Sequence, residues 1–189
     1  MSSDLHLLAI VGSLRSASVN RRVMESAVTL LPVGVTLTEL PIAAVPMFDG
    51  DLEAAGDPAA VTALKQAVSV SDGLVIFTPE YNISVPAVVK NTIDWLSRPY
   101  GSGAIRAVPT GVVAASPGGR GGAGVRQHLS DILGVICPGF HVETLGLGGV
   151  NDSLGDAGLG GDAAAELERW LAGFVRHASA FRDQVAETS

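Results

Sequence analysis

A short polar segment, residues 12–20, could bind an anion because of the types and order of its side chains. Its serines, Ser13, Ser16 and Ser18, supply hydroxyl donors, and Arg15 supplies a guanidinium that matches phosphate oxygens. The segment joins a predicted strand to a predicted helix, where free backbone N–H groups and the helix dipole favour negative charge. The sequence therefore predicts a site for a phosphate monoester. A helix capped by serine or asparagine, beside a solvated arginine, is the alternative.

The same segment lacks the motifs of two common nucleotide sites. It has neither the G-x-x-x-x-G-K-[ST] of a nucleoside triphosphate site nor the G-x-G-x-x-G of a dinucleotide site. A G-x-G-x-x-G does occur at Gly119, Gly121 and Gly124, but it follows the fourth predicted strand, whereas the dinucleotide fingerprint follows the first. We expect this glycine-rich segment to be a flexible loop that approaches a ligand. A plain surface loop is the alternative.

A second polar segment, residues 79–86, follows the third predicted strand and is bounded by prolines. Its backbone N–H groups and the Asn82 amide could bind the polar edge of a planar heterocycle such as a flavin, while the rest of the loop covers the ring. A tight turn in which Asn82 bonds its own backbone is the alternative.

The elements that must position these segments alternate between strand-like and helix-like patterns. Compact apolar runs predict five strands, at residues 5–11, 36–40, 73–78, 108–115 and 141–145. Apolar residues at helical spacing predict helices at residues 20–31, 86–96 and 125–133. Another helix is expected to have Asp57 as its N-cap and Pro58 at its first position, and Asp162 is expected to cap the last helix. Residues 41–56 and 146–161 are expected to be irregular.

This alternation predicts an α/β fold with a parallel sheet and helices on both faces. Five strands in 189 residues suit a flavodoxin-like three-layer sandwich with the strand order 2-1-3-4-5. Ligands of such folds bind beyond the carboxyl ends of the strands, at the switch point between strands 1 and 3. The loops after Val11, Thr78 and Ala115 are therefore expected to form the site, in one domain that spans residues 1–189.

Composition and charge disfavour several kinds of partner. The net charge of −7 argues against binding to nucleic acid or to an anionic membrane surface. No apolar run approaches the roughly 20 residues that span a bilayer, and no secretion signal is visible, so we expect a cytoplasmic protein. The lone Cys137 cannot form an intrachain disulfide and is expected to be buried and inert. The histidines are scattered along the chain, so no metal site is predicted.

Three stretches of the chain carry a resemblance to a known family. They are residues 12–15 with Ser18, Asn20 and Arg21; the segment P-E-Y-N-I-S-V-P at residues 79–86; and K-N-T-I-D-W-L-S-R at residues 90–98. Over about residues 5–133 the chain closely resembles the NADPH-dependent FMN reductase family, which includes quinone, chromate and azo-dye reductases. The long second motif is the most specific part of the resemblance.

The resemblance implies FMN as the cofactor and NADPH or NADH as the co-substrate. It implies that the FMN phosphate is bound by Ser13, Arg15, Ser18, Val19 and Asn20. It implies that the isoalloxazine ring is bound by Pro79, Glu80, Tyr81, Asn82 and Ile83. The residues implied to face the ring from the loop after the fourth strand are Ser116, Pro117, Gly118 and Gly119.

The activity implied by the resemblance is the reduction of small acceptors such as quinones, azo compounds, chromate or free flavin. Electrons would pass from the nicotinamide to FMN and then to the acceptor in a ping-pong mechanism, with no catalytic side chain. A homodimer or a dimer of dimers, usual in the family, is expected. Two alternatives stay open: a flavodoxin-like electron carrier that does not use NADPH, and a flavin-free interaction protein with the same fold.

The predicted helix at residues 86–96 carries one departure from the family and two open questions. Ala87 stands where the family usually has glycine, and its methyl group bears on the range of acceptors rather than on flavin binding. Lys90 and Asp94 could form an exposed ion pair or a subunit contact. Trp95 could pack under a neighbouring loop or in a dimer interface.

Overall fold

The computed structural model describes residues 4–188 and contains a five-stranded parallel sheet in the predicted order. Its strands are β1 (Leu5–Val11), β2 (Val35–Glu39), β3 (Gly73–Thr78), β4 (Thr110–Ala115) and β5 (Leu145–Leu147). They lie in the order β2-β1-β3-β4-β5, and each neighbouring pair is parallel. The chain order reverses direction around β1 and β3, where folds of this kind leave a crevice for a ligand.

Helices connect the strands on both sides of the sheet. They are α1 (Val19–Leu30), α2 (Gly50–Ala55), α3 (Ala59–Ser69), α4 (Ala87–Leu96), α5 (Ala123–Ile136), α6 (Val150–Ser153) and α7 (Gly161–Thr188), with a 3-10 turn at Ala104–Arg106. Two short strands, β6 (Leu154–Gly155) and β7 (Gly158–Leu159), form an antiparallel hairpin before α7. No helix formed by residues 4–188 is long and apolar enough to cross a membrane.

The central strands are apolar on both faces, which gives the molecule two cores. All six positions of β3 and all six of β4 are buried. In β1, Leu8 and Ile10 face a core formed with α3, α4 and α5, whereas Leu7, Ala9 and Val11 face a core formed with α1 and α7. The predicted three-layer flavodoxin-like sandwich is confirmed.

The fifth strand lies later in the chain than predicted. Residues 141–144 form no strand: an isolated bridge joins Phe140 to Thr110 of β4, and continuous pairing with β4 begins at Leu145. A Cβ atom at Gly146 would lie 2.5 Å from the backbone oxygen of Gly121, so this edge of the sheet requires glycine. A glycine-rich segment predicts a loop when only the sequence is considered. Here the glycines instead allow the backbones at positions 121 and 146 to pack closely.

Two segments that were expected to be irregular contain helices. Helix α2 lies within residues 41–56, and the Asp49 side chain caps it by accepting from the Asp51 N–H at 2.8 Å. Helix α6 and the β6–β7 hairpin lie within residues 146–161. These elements are only two to six residues long, so they carry too few residues to show a periodic pattern.

Both helix caps predicted from aspartate are wrong. The cap position of α3 is Pro58, which has no capping side chain, and the Asp57 carboxylate instead pairs with the Lys65 ammonium at 2.7 Å. Helix α7 begins at Gly161, so Asp162 lies in its first turn. A negative charge in the first turn still stabilises the positive end of the helix dipole.

Helix α4 fixes the loop between β2 and α2, here called the 41–49 loop. The buried Asn91 side chain accepts from the Phe48 N–H at 2.7 Å and donates to the Pro46 oxygen at 2.8 Å. The Trp95 indole N–H donates to the same oxygen at 2.8 Å, and Phe48 packs edge-on against its ring. Of the two roles left open for Trp95, packing under a neighbouring loop is confirmed.

The lone cysteine is buried, as expected. Burial raises the pKa of the Cys137 thiol, which keeps the sulfur protonated. A protonated and buried thiol is a poor nucleophile.

His141 packs in an aromatic cluster with Trp170, Phe174 and His177, and its Nε2 atom is buried without a hydrogen-bond partner among residues 4–188. Burial lowers the pKa of His141, the neighbouring His177 lowers it further, and Glu143 opposes both. Because the folded-state pKa lies below that of the unfolded chain, protonation favours unfolding. The neutral form of His141 thus stabilises the folded state, and this stabilisation is lost as the pH falls below about 6.5.

We expect His141→Gln to reduce the loss of stability on acidification, measured as the difference in urea midpoint between about pH 7 and about pH 5. His6→Gln is the control, because His6 is exposed and its ring bonds Thr38 Oγ1 at 3.1 Å. The control variant should keep the pH dependence of the unaltered protein. An unchanged pH dependence in His141→Gln would contradict the assignment.

Candidate functional site

Three loops meet at the carboxyl ends of the strands, where the sequence predicts the site. They are loop 1 (residues 12–18) after β1, loop 2 (residues 79–86) after β3 and loop 3 (residues 116–122) after β4. The Gly12 N–H donates to the Phe77 oxygen at 2.7 Å, and a Cβ atom at Gly12 would lie 2.8 Å from Thr78 Oγ1. Loop 1 therefore begins in direct contact with the end of β3, from which loop 2 starts.

A cleft of about 470 Å³ lies between loop 1, loop 2 and the start of α4. Its lining residues are Gly12, Ser13, Leu14, Arg15, Tyr81, Pro86, Ala87 and Val88. Leu14 and Tyr81 are exposed there, with 57% and 47% of their surfaces accessible. A cleft of this size, with apolar walls and a few polar groups, is typical of small-molecule sites.

The start of α1 offers hydrogen-bond donors beside this cleft. The backbone N–H groups of Val19 and Asn20, in the first turn, donate to no acceptor within residues 4–188. Ser18 Oγ accepts from the Arg21 N–H at 3.3 Å, which leaves the hydroxyl proton free to donate. Ser13 is buried to 5% exposure and lines the cleft. Donors gathered at a helix N-terminus suit an anion.

The two arginines of this region have different roles. The Arg21 guanidinium binds both carboxylate oxygens of Glu39, at 2.7 and 3.1 Å, and this hydrogen bonding raises the pKa of Arg21. Arg21 also donates to the backbone oxygen of Arg15 at 3.0 Å, which steadies loop 1. The Arg15 side chain is exposed and pairs with no residue in the range 4–188. Arg15 is therefore the cation of loop 1 that is free to meet a ligand.

Asn20, which the resemblance assigns to the phosphate, has its side chain bonded elsewhere. Its Nδ2 donates to the Ala115 oxygen at 3.1 Å, and its Oδ1 accepts from the Ala115 N–H at 3.1 Å. These two bonds join the start of α1 to the end of β4, where loop 3 begins. Asn20 can offer its backbone N–H to an anion while its amide positions loop 3.

Loop 2 contains a tight turn with an unusual backbone. Tyr81 and Ser84 exchange two backbone hydrogen bonds, at 3.0 and 3.1 Å, and the residues between them, Asn82 and Ile83, have φ angles of 52° and 62°. Two left-handed residues in succession are the signature of a type I′ turn, which usually requires asparagine and glycine. Isoleucine is β-branched, so its left-handed backbone is strained, and such strain is concentrated at functional sites.

The tight turn that the sequence offered as an alternative is present. The hydrogen bond expected with it, from the Asn82 side chain to its own backbone, is not. The Asn82 side chain makes no hydrogen bond with its own backbone or with any other residue in the range 4–188. Asn82 and Ile83 are both exposed, Ile83 with 61% of its surface accessible. Both side chains are therefore available to a ligand.

Helix α5 holds loop 2 at two points. Glu80 Oε2 accepts from the Val125 N–H at 2.9 Å, and Ser84 Oγ bonds His128 Nδ1 at 3.1 Å. Gly124 lies so close that a Cβ atom there would be 2.6 Å from the Ile83 backbone oxygen. Val125 and His128 carry no local signal for this role. Gly124 was assigned to the glycine-rich loop, because the predicted helix begins one residue later, at Val125.

The glycine-rich motif of loop 3 divides into two kinds of glycine. The residues assigned to the ring from this loop are Ser116, Pro117, Gly118 and Gly119, which lie at the same edge of the sheet but outside the wall of the cleft. A Cβ atom at Gly118 or Gly119 would meet open space. Gly121 instead packs on Gly146, with a Cβ position 2.6 Å from its backbone. The first pair is accessible to a ligand, and the later glycines serve packing.

Sequence reasoning brought Ser13, Arg15 and Tyr81 to the cleft but missed part of its wall. Leu14, Pro86 and Val88 were not assigned to the site, although each lies within or beside a recognised motif. Ala87, the departure from the family pattern, also lines the cleft. The signal in the sequence was a leucine between Ser13 and Arg15, at a position where a solvated loop would be polar.

The chain matches known proteins over most of its length. A family profile described as NADPH-dependent FMN reductase matches residues 5–151. The chain is 40% identical over 135 residues to a quinone reductase of Escherichia coli, covering 70% of this chain and 71% of that protein. It is 38% identical over 133 residues to an NAD(P)H-dependent FMN reductase of Pseudomonas aeruginosa, with coverages of 70% and 71%.

A solved structure agrees with these matches. FerB, a flavoenzyme NAD(P)H:(acceptor) oxidoreductase from Paracoccus denitrificans, superimposes with a TM-score of 0.82 at 27% identity, covering 94% of this chain and 98% of that one. The sequence matches and the shared fold agree with the motifs at residues 12–21 and 79–98. The chain therefore belongs to the NADPH-dependent FMN reductase family, a family of oxidoreductases that use FMN and NAD(P)H.

Proposed function

We propose that this chain binds FMN in the cleft between loops 1 and 2 and uses NADPH or NADH to reduce small acceptors such as quinones. The observation that supports this most is the cleft of about 470 Å³ between loop 1, which leads into the donor-rich start of α1, and loop 2, which contains the left-handed turn. The donors suit a phosphate, and the apolar walls with the exposed Asn82 amide suit a planar ring that has one polar edge. The residues present therefore fit FMN.

In this proposal, one set of groups binds the phosphate of the cofactor and another contacts its ring. The groups that bind the phosphate are the side chains of Ser13, Arg15 and Ser18 and the backbone N–H groups of Val19 and Asn20. The residues that contact or support the ring are Pro79, Glu80, Tyr81, Asn82 and Ile83 from loop 2 and Ser116, Pro117, Gly118 and Gly119 from loop 3. The chemistry that FMN supplies when bound is acceptance of a hydride from the nicotinamide and delivery of electrons to the acceptor.

The acceptors and the order of binding are part of the same proposal. Quinones are supported by the quinone reductases among the relatives, and we extend the proposal to azo compounds, chromate and free flavin. Because the nicotinamide and the acceptor would use the same open cleft, we propose that they bind in turn, which gives ping-pong kinetics. Leu14 and Ala87, on the cleft wall, would limit the size of the acceptor.

We also propose that residues 1–189 form one FMN-binding domain and that the protein is cytoplasmic and assembles as a homodimer or a dimer of dimers. The assembly is supported by exposed apolar side chains beside the cleft, Leu14, Tyr81 and Ile83, which a second subunit would cover. Sedimentation velocity tests it, and a monomer at micromolar concentration would contradict it.

An absorbance experiment tests the proposed activity. The purified protein is mixed with FMN, freed of unbound cofactor, and titrated with NADPH or NADH under anaerobic conditions before a quinone is added. We expect the flavin absorbance to be bleached by the nicotinamide and restored by the quinone. Bound flavin that the nicotinamide does not bleach would favour an electron carrier. Protein that retains no FMN would favour a flavin-free role.

Arg15→Ala is expected to weaken FMN binding by about 10-fold, because it removes a charge-assisted contact with the phosphate. The dissociation constant is measured by the quenching of FMN fluorescence. The difference from the unaltered protein should shrink at high salt, since exposed charges are screened.

Arg106→Ala is the matched control for this variant. Arg106 is also exposed and also pairs with no residue in the range 4–188, but it lies in the 3-10 turn before β4, at the opposite end of that strand from loop 3. It should leave FMN binding unchanged. Equal dissociation constants for Arg15→Ala and Arg106→Ala would remove Arg15 from the phosphate site.

A further inference from the structure

Glu80 belongs to the motif that the resemblance assigns to the flavin ring, yet its carboxylate is bonded to helix α5. Oε2 accepts from the Val125 N–H at 2.9 Å, across 45 residues of sequence. Val125 is the third residue of α5, and the N-cap of that helix, Gly122, offers no side chain. Glu80 thus supplies from loop 2 the acceptor and the negative charge that the start of α5 lacks.

The turn directly after Glu80 needs external support. Ile83 is held at a φ of 62°, a conformation that a β-branched residue does not adopt without constraint. Its side chain is 61% exposed, so burial of that side chain does not hold the turn in place. The bonds that precede and follow the strained pair are Glu80 to Val125 and Ser84 to His128. Of these, the Glu80 bond is charge-assisted and therefore the stronger.

We infer that Glu80 is a positioning residue, which holds the turn Tyr81–Ser84 in its left-handed conformation by capping α5 and does not itself bind FMN. The inference rests on the proposed function, because the turn is the part of loop 2 that would contact the ring. The Glu80 bond joins loop 2 to α5, the helix that follows loop 3. The Asn20 bonds to Ala115 join the start of α1, which follows loop 1, to the end of β4, where loop 3 begins. The three loops are then held together before a ligand arrives, which reduces the cost of binding.

The test compares Glu80→Ala with Glu80→Gln. The glutamine amide oxygen can accept from the same N–H, so Glu80→Gln should stay within about threefold of the unaltered FMN dissociation constant. Glu80→Ala should raise that constant by on the order of 10-fold and alter the visible circular dichroism of bound FMN, because the turn no longer lies in place. Equal losses in both variants, or none in Glu80→Ala, would overturn the inference.

Asp49→Ala controls for the loss of a helix cap as such. The Asp49 side chain caps α2 by accepting from the Asp51 N–H at 2.8 Å, and it lies outside the three loops. This variant should lower stability without changing the FMN dissociation constant or the circular dichroism of bound FMN. A change in FMN binding as large as that of Glu80→Ala would assign the effect to general destabilisation and overturn the inference.

Hydrogen exchange on the FMN-free protein separates this inference from the proposed function. The Ser84 N–H donates to the Tyr81 oxygen at 3.0 Å, and its exchange reports opening of the turn. Exchange should be faster in Glu80→Ala by on the order of 10-fold and by no more than about threefold in Glu80→Gln. Unaltered protein that binds no FMN would end the proposed function but leave this measurement readable. Unchanged exchange in Glu80→Ala would end the positioning role alone.

Discussion

Gly124→Ala is expected to weaken FMN binding by about 100-fold, because it displaces the turn that loop 2 presents to the ring. A Cβ atom at position 124 would lie 2.6 Å from the Ile83 backbone oxygen, 2.7 Å from Ile83 Cγ2 and 2.8 Å from Glu80 Oε2. A backbone oxygen cannot rotate away as a flexible side chain does, so the turn itself must move. The measurement is the FMN dissociation constant, with the urea midpoint as a check on folding.

Gly134→Ala is the matched control, since Gly134 lies in the same helix. Its Cβ atom would meet nothing within 4 Å, and the residue is exposed. This variant should keep FMN binding and raise stability by about 0.5–1 kcal/mol, because alanine has the higher helix propensity. If Gly124→Ala bound FMN as tightly as Gly134→Ala does, the turn would not be part of the site.

Asn91→Ala is expected to destabilise the folded protein by about 2–4 kcal/mol, because it leaves the Phe48 N–H without its acceptor and removes one of the two donors to the Pro46 oxygen. The Asn91 amide satisfies the Phe48 N–H at 2.7 Å and shares the Pro46 oxygen, at 2.8 Å, with Trp95. Its side chain is buried to 5% exposure, so water cannot replace it without disturbing the packing. The measurement is the free energy of unfolding from urea titration of the FMN-free protein.

Lys90→Ala is the control at the neighbouring position. The Lys90–Asp94 ion pair, at 2.6 Å, joins two side chains that are 47% and 36% exposed. An exposed i,i+4 pair on a helix contributes about 0.3–0.5 kcal/mol, so this variant should be close to neutral. A loss below about 1 kcal/mol in Asn91→Ala would show that the 41–49 loop is not fixed by this side chain.

These predictions separate the functions of two neighbouring motifs, at residues 79–86 and 90–98. The first forms the turn and the bonds to α5. The second holds the 41–49 loop, because Asn91 and Trp95 bond that loop and Arg98 lies 5.1 Å from the centre of the Phe48 ring. The family resemblance therefore also rests on residues whose contacts are structural.

Much of the fold follows from local sequence patterns. The apolar runs at β1 and β3 have matching bounds in the sequence and in the structure, because a strand that is buried on both faces must be continuously apolar. The start of α1 differs by one residue, Val19 instead of Asn20. The positions of loops 1, 2 and 3 follow in turn, since parallel strands place their carboxyl ends at one edge of the sheet.

The partners of the site residues were decided only by the tertiary structure. Asn20 bonds Ala115 across 95 residues, and Glu80 bonds Val125 across 45. No periodicity records such pairs, because they depend on which distant segments the sheet order brings together. The left-handed backbone of Ile83 likewise cannot be predicted from the sequence, since isoleucine favours an extended backbone. Only the residues packed around it impose the turn. Strand β5 was misplaced for the same reason. The need for glycine at position 146 comes from the backbone of Gly121 and from nothing in its own segment.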